Sequence, residues 1–207
     1  MSAGGESVAF WRGDAPLVLA SASPVRAALL ARSLIPFEVR PSAIDERAAS
    51  IGIGDGARMA QALALAKAAA VARLHPGRLV LGCDQTLTCD GELMHKPADM
   101  AEARRQLVQL RGRTHRLHSA LALCRDGATL WTGLAEASMA MRRFSDAFLD
   151  AYLHAAGPDV LGSVGVYRYE SLGAHLFDSV SGDDATILGL PVLPLLAGLR
   201  QHGYLAG

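Results

Sequence analysis

Lysine is nearly missing from this chain. Of its 20 basic residues 18 are arginine, and only Lys67 and Lys96 are lysine. Either the distribution is chance, or those two places need a compact ammonium, which serves phosphate oxygens as a point charge. Cysteine is scarce and odd in number: Cys83, Cys89 and Cys124 form no C-x-x-C pair. That argues against a disulfide framework or a structural zinc site and leads us to expect a reducing cytoplasm. Net charge is absent, with 20 basic and 20 acidic residues, so electrostatics gives no reason to expect nucleic acid or an acidic membrane as partner. No apolar run is long enough for a bilayer, and no basic segment followed by an apolar run marks a secretory signal. Residues 1–14 read as a flexible leader and 15–207 as one domain, with enough chain for a substantial core.

The stretch Leu17 to Arg26 is the most informative part. Four apolar residues end in Ser21-Ala22-Ser23-Pro24, and a helical pattern follows. Pro24 suits the first helical position and Ser23 the cap before it. Free N–H groups at that helix start, with Ser21 and Arg26 alongside, make an anion site for phosphate. The alternative is an ordinary strand–cap–helix junction. A short strand is expected at Phe37–Val39, then an irregular segment to Gly56 that holds Asp45-Glu46. A long helix follows to Leu74, because Met59, Leu63, Lys67 and Val71 recur every fourth residue. Lys67 thus lies in an apolar stripe, either snorkelling outward or pointing into a cleft, and its isolation favours the cleft.

Leu79–Cys83 reads as a buried strand ending at Asp84, with a hairpin turn at Asp90-Gly91. Asp99 and Glu102 open a helix that stops near Gly112. Thr114–Cys124 and Ala128–Met141 form a second hairpin, and Ser145 caps a helix ending at Gly157-Pro158. Short strands are expected around Val164–Tyr169 and His175–Phe177, and a last helix from Pro191 to Gly203. Strands and helices are mixed without strict alternation, which implies an α/β body around a mixed sheet.

The common phosphate cradles G-x-x-x-x-G-K-S/T and G-x-G-x-x-G are absent, as is G-x-S-x-G. His115 and His118 would point to opposite faces of a strand, a poor arrangement for one metal. Asp84, at the end of a buried strand, stands where ligand sites of α/β sheets usually lie. Glu46 and Asp84 have the hard oxygens that Mg²⁺ takes, waters and substrate phosphates completing its shell. Ser21, Arg26, Lys67 and Lys96 would neutralise a polyphosphate. Metal, anion clamp and carboxylate base are the parts that phosphoryl or nucleotidyl transfer needs.

Taken together, these residues resemble the Maf family of nucleoside triphosphate pyrophosphatases, from Leu17 to about Gly203. The family's S-x-S-P-x-R stands here as Ser21 to Arg26, its acidic turn as Ile44-Asp45-Glu46, and its A-x-x-K-A as the segment around Lys67. Gly82-Cys83-Asp84-Gln85, Lys96-Pro97, Gly112-Arg113-Thr114-His115 and Gly189-Leu190-Pro191 follow in order. The resemblance implies an elongated mixed sheet flanked by helices, in two lobes with a deep active-site cleft, as in Maf and inosine triphosphatase-like folds. It implies hydrolysis of a small-molecule nucleoside triphosphate to monophosphate and pyrophosphate. Asp84 would be the proton acceptor, Asp84 and Glu46 the ligands of a divalent cation (Mg²⁺, Mn²⁺ or Co²⁺), and Ser21, Arg26, Lys67 and Lys96 the phosphate clamp. A homodimer is compatible with the family. Specificity would rest on Val25, Gln85 and Glu170, and the Asp-Gln pair with a late Glu looks like the 7-methyl-GTP branch. The dTTP/UTP branch carries Arg, Thr and Gln instead. A nucleotide-binding regulator of septum formation with little turnover is the alternative from another class. Val25, His95 and Ser119 depart from the residues usual in the family, and Arg168 competes with Glu170 for the base.

Overall fold

The computed structural model describes residues 10–207, and the first nine residues of the expected leader lie outside that range. The remainder of the leader is tied down rather than loose. Trp11 bridges Leu205 in antiparallel fashion and stacks on Tyr204, and Arg12 N–H donates to the Tyr204 carbonyl. A large ring with a partner ring at the other chain end is reason enough for order there.

A seven-stranded mixed sheet runs β2-β1-β3-β5-β6-β7, with β4 paired to β3 off that path. The chain enters it at β1 (Leu17–Leu19), leaves through α1 (Pro24–Arg32) and returns as β2 (Phe37–Val39), parallel to β1. Then come α2 (Glu46–Ala49), one turn inside the expected loop, and α3 (Gly56–Leu74). Next are β3 (Val80–Cys89), β4 (Glu92–Met94) and α4 (Met100–Leu110). The long hairpin β5 (Thr114–Arg125) and β6 (Ala128–Met141) precedes α5 (Asp146–Ala156). Two hairpins turn where Asp-Gly pairs take positive φ, at Asp90-Gly91 and Asp126-Gly127.

Three expectations change. Asp84 does not end a strand: β3 continues to Cys89, because β5 pairs with it residue for residue from Val80 to Cys89. Val164–Tyr169 is not a strand. It holds an irregular 3₁₀ turn at Val164–Val166, where Gly165 and even Val166 adopt positive φ. Only Gly fits at 165, since a Cβ there would lie 2.7 Å from Leu87 Cδ1 and 2.6 Å from the Tyr167 ring. The strand expected at His175–Phe177 is β7 (Phe177–Ser181), with 3₁₀ turns at Pro158–Gly162 and Leu172–Leu176 before it. The short helix α6 (Asp184–Ile187) and α7 (Val192–Gln201) close the chain.

Side-chain alternation along β3 divides the core. Leu81 and Cys83 pack in one apolar cluster with Leu17, Leu30, Leu121 and Leu195. Leu87 and Cys89, on the same face, belong to a second cluster with Leu107, Leu117, Leu149 and Tyr152. Gln85 sits between the two. The opposite face, with Val80, Ala120 and Ala122, is covered by α3 through Ala60, Ala64, Ala68 and Val71. Small side chains let that helix approach closely.

Candidate active site

One edge of β3 is shared between two short strands. β1 pairs in parallel with Val80 and Leu81, and β4 pairs antiparallel with Leu87, Thr88 and Cys89. Residues 82–86 therefore have no ladder partner on that side. Five residues of strand span about 16 Å, and Ser21, Arg26, Glu46 and Lys67 all reach this break.

Asp84 projects from it onto the α3 face and is buried. Lys67, only 8% exposed, crosses from α3 and donates to Asp84 Oδ1 at 2.6 Å. The same ammonium meets Glu46 Oε1 at 2.8 Å. Glu46 is the first residue of α2, whose cap Asp45 accepts N–H bonds from Arg47 and Ala48. Lys67 thus joins two carboxylates from separate elements. The approach depends on Gly82: a Cβ there would lie 2.1 Å from the Ala64 carbonyl and 2.7 Å from Ala68 N. A second tie, Thr86 Oγ1 to the Gly56 carbonyl at 2.8 Å, anchors the start of α3.

The two carboxylates differ in proton affinity. Burial raises the pKa of Asp84 above that of an ordinary aspartate, and the Lys67 and Arg26 charges only partly offset that desolvation. Half-burial also desolvates Glu46, but the Lys67 bond and the Lys67, Lys96 and Arg26 charges outweigh it and hold Glu46 below its ordinary value. Lys96 is exposed, and its backbone is fixed from α4: Gln106 donates to the His95 carbonyl, and Glu102 accepts from Ala98 N.

On the other side of the break, Arg26 braces three motifs. Its Nε donates to the Gly189 carbonyl at 2.9 Å, and its Nη1 donates to the Cys83 carbonyl at 3.0 Å and, more weakly, to Ser21 Oγ at 3.4 Å. Ser21 Oγ also accepts from Ser23 N, and Ser23 Oγ from Arg26 N. Pro24 has no N–H, so Val25 supplies the one free N–H of the first turn among the described residues. The polar groups this corner leaves toward the break are accordingly the Ser21 hydroxyl and Arg26 Nη2 more than a bare helix end. Val25 itself packs against the apolar cluster around Leu30.

Gln85 faces away from Asp84, and its Nε2 donates to Ser119 Oγ (2.8 Å) and to the carbonyls of Thr186 and Ile187 (3.0 Å each). Sequence reading missed Thr186 and Ile187. Their signal was the cap Asp183 three residues before Thr186, which accepts from Thr186 N and Oγ1. Glu170 is exposed on a tight turn whose Arg168 carbonyl accepts from Ser171 N and Gly173 N. No hydrogen bond or ion pair joins Glu170 to the other site residues among the described residues, while Arg168 pairs with Asp159 at 3.5 Å.

His115 and His118 do lie on opposite faces. His115 meets Tyr167, whereas His118 bridges Thr88 and Glu136. Among the described residues no three His, Cys, Asp or Glu side chains converge as a metal cage, and no helix is long and apolar enough to cross a membrane. Cys83 is fully buried, and burial pushes its thiol up to about 12, so it is a packing residue beside Asp84.

The family model for Maf-like proteins matches residues 16–202. The chain belongs to the Maf-like family. Among curated relatives, the nucleoside triphosphate pyrophosphatase of Nitrobacter hamburgensis is 51% identical over 201 residues, covering 96% of this chain and all of that one. The 7-methyl-GTP pyrophosphatase of Brucella abortus is 46% identical over 195 residues, covering 92% and 98%. Among solved structures, a HAM1 protein from Coxiella burnetii aligns with TM-score 0.44 at 18% identity, over 63% of this chain and 74% of that one. In this Maf-like chain the family motifs are scattered from Ser21 to Pro191 in sequence. Those around Ser21, Glu46, Lys67, Asp84 and Gly189 gather at one break in the sheet, whereas Gly112–His115 lies beyond it, with His115 opposite Cys89 in the β3–β5 ladder.

Proposed function

We propose that this chain hydrolyses a nucleoside triphosphate to the monophosphate and pyrophosphate, with Asp84 as the proton acceptor for the attacking water. One observation carries the reading: a buried carboxylate and a second carboxylate share the Lys67 ammonium at the open edge of β3. A carboxylate whose pKa is raised by burial is a stronger base near neutral pH. Lys67 holds it in place and, with Ser21, Arg26 Nη2 and Lys96, offsets the negative charge of the phosphates. Removing one such contact from developing charge typically costs 10²–10³-fold, roughly. Water attack at the α-phosphorus then releases pyrophosphate as Asp84 takes the proton.

The donor set suits a divalent cation such as Mg²⁺, Mn²⁺ or Co²⁺. Asp84 and Glu46, which share one ammonium, would offer it hard oxygens, and one or two carboxylates plus substrate phosphates is the usual protein share for Mg²⁺. Bound there, the cation would polarise the phosphate oxygens. Adjacent strand residues face opposite sides, so a nucleotide lying across the open edge would give its phosphates to the Asp84 face and its base to Gln85. Glu170 on its turn would complement a 7-methylated guanine, and Val25 would pack below. The 7-methyl-GTP pyrophosphatases among the relatives agree with that choice. Three buried, unpaired cysteines support a reducing, cytoplasmic setting.

The test is pyrophosphate release by the purified protein with Mg²⁺ or Mn²⁺, across 7-methyl-GTP, GTP, UTP, CTP and dTTP. Turnover led by 7-methyl-GTP and abolished by a chelator is expected. Leadership by UTP or dTTP would refute the base assignment, and binding without turnover would indicate a regulator. Replacing Glu170 by Gln should lower the 7-methyl-GTP over UTP ratio of kcat/KM by about tenfold, the worth of one charged hydrogen bond. An unchanged ratio removes Glu170 from the base site.

A further inference from the structure

We propose that Ser119 and the α6 carbonyls lock the Gln85 amide so that the site offers a base only a hydrogen-bond acceptor. The enzyme thereby selects bases carrying an N–H on the edge that meets Gln85. The proposal rests on Gln85 facing the base and adds what that residue reads.

A glutamine side chain can usually present either its oxygen or its NH₂ by turning over. Here the turn is blocked. Three acceptors surround Nε2: the Thr186 carbonyl, the Ile187 carbonyl and Ser119 Oγ. Ser119 is fully buried, and its own O–H donates to the Thr186 carbonyl at 2.8 Å, so towards Gln85 it acts as an acceptor. Turned over, Gln85 would set its oxygen against two carbonyl oxygens and lose both of those bonds, and Ser119 could donate to it only by giving up its own bond to the Thr186 carbonyl. Oε1 is left with no partner among the described residues and is not sealed from solvent.

The lock is supported from both sides. Asp183 fixes Thr186 through its N–H and hydroxyl, and Ser119 lies directly opposite Gln85 in the β3–β5 ladder. Arg26 holds the Gly189 carbonyl, so the segment supplying the acceptors is pinned at its far end as well. A fixed lone acceptor accepts from the N1–H of a 6-oxopurine or the N3–H of a uracil. It rejects a ring whose corresponding edge carries only lone pairs.

The discriminating pair is inosine triphosphate, which has N1–H, and purine riboside triphosphate, which is the same nucleotide with no donor on that edge. Wild-type protein should favour inosine triphosphate by at least about tenfold in kcat/KM, the factor one buried hydrogen bond gives. In Ser119→Ala that ratio should fall at least about threefold, through KM rather than kcat, and Ser119→Thr, which keeps the hydroxyl, should restore it. Gln85→Leu should abolish the preference and stands in if Ser119→Ala fails to fold. The same two nucleotides are titrated by calorimetry against Asp84→Asn with Mg²⁺, which reads the preference as a ratio of Kd values without turnover. A wild-type ratio near one, or a ratio unchanged in Ser119→Ala, overturns the proposal. Absence of hydrolysis with the Kd ratio retained would instead sink the hydrolytic reading and leave the locked amide standing.

Discussion

At Asp84 two opposed effects meet. Burial favours the protonated acid, while Lys67 at 2.6 Å favours the carboxylate, and burial wins. In the metal-free protein the titration limb of Asp84, read from its carboxyl carbon NMR signal, should therefore lie above that of an ordinary aspartate. Lys67→Met, which removes the charge that lowers the Asp84 pKa, should move that limb further up. A limb that stays in place in Lys67→Met would show that another group titrates. Glu46 is shifted the opposite way, held below its ordinary value chiefly by Lys67. Asp84→Asn should lower kcat about 10²–10⁴-fold, the usual worth of a general base, with the urea midpoint kept or raised because a desolvated carboxylate is removed. Residue types at these positions were legible in the sequence, where two lysines stood out against 18 arginines. What Arg26 and Gln85 do was not legible, because both bond to backbone carbonyls, and a carbonyl leaves no mark in a sequence.

The element that makes the site is α3, laid across β3 at Gly82. Ala64 O would meet an added Cβ at 2.1 Å, and backbone cannot give way as a flexible side chain can. Gly82→Ala should therefore cost about 1–3 kcal/mol of stability, as overpacking does, and raise KM by withdrawing Lys67 from the break. A urea titration beside the kinetics checks both, and a stable variant with unchanged KM would mean that α3 seats elsewhere. The periodicity of Met59, Leu63, Lys67 and Val71 was enough to foresee this helix within a residue at its start. The end of β3 was misread for a physical reason. Asp84, Gln85 and Thr86 look like a strand terminus, yet the ladder to β5 continues past them and pairs the backbone along that edge. Val164–Tyr169 misled in the other direction, since its apolar pattern suits a strand while the packing of Gly165 against Leu87 demands a turn.

For the whole molecule, His115 couples stability to pH. It is completely buried, donating to or accepting from Tyr167 at 2.7 Å, and burial lowers its pKa to about 4. The unfolded chain, with an ordinary histidine near 6.5, takes the proton first, so stability is full above that value and is lost as pH falls towards 4. Between pH 7 and pH 5 this one residue should cost about 2 kcal/mol of unfolding free energy. His115→Gln, which keeps a partner for Tyr167 without titrating, should flatten the profile by that amount. Equal pH dependence in both proteins would assign the effect elsewhere. The mixed α/β class, most helices with their caps, both Asp-Gly turns and the family were readable from residue order, because these depend on neighbours within a few residues or on motif order. Tertiary structure alone decided that β1 and β4 stop short of each other along β3, that Lys67 joins Glu46 to Asp84, and that the Gln85 amide is fixed. Those follow from strand pairing and from contacts across 17 to 102 positions, where the chain's local chemistry carries no record of what it will meet.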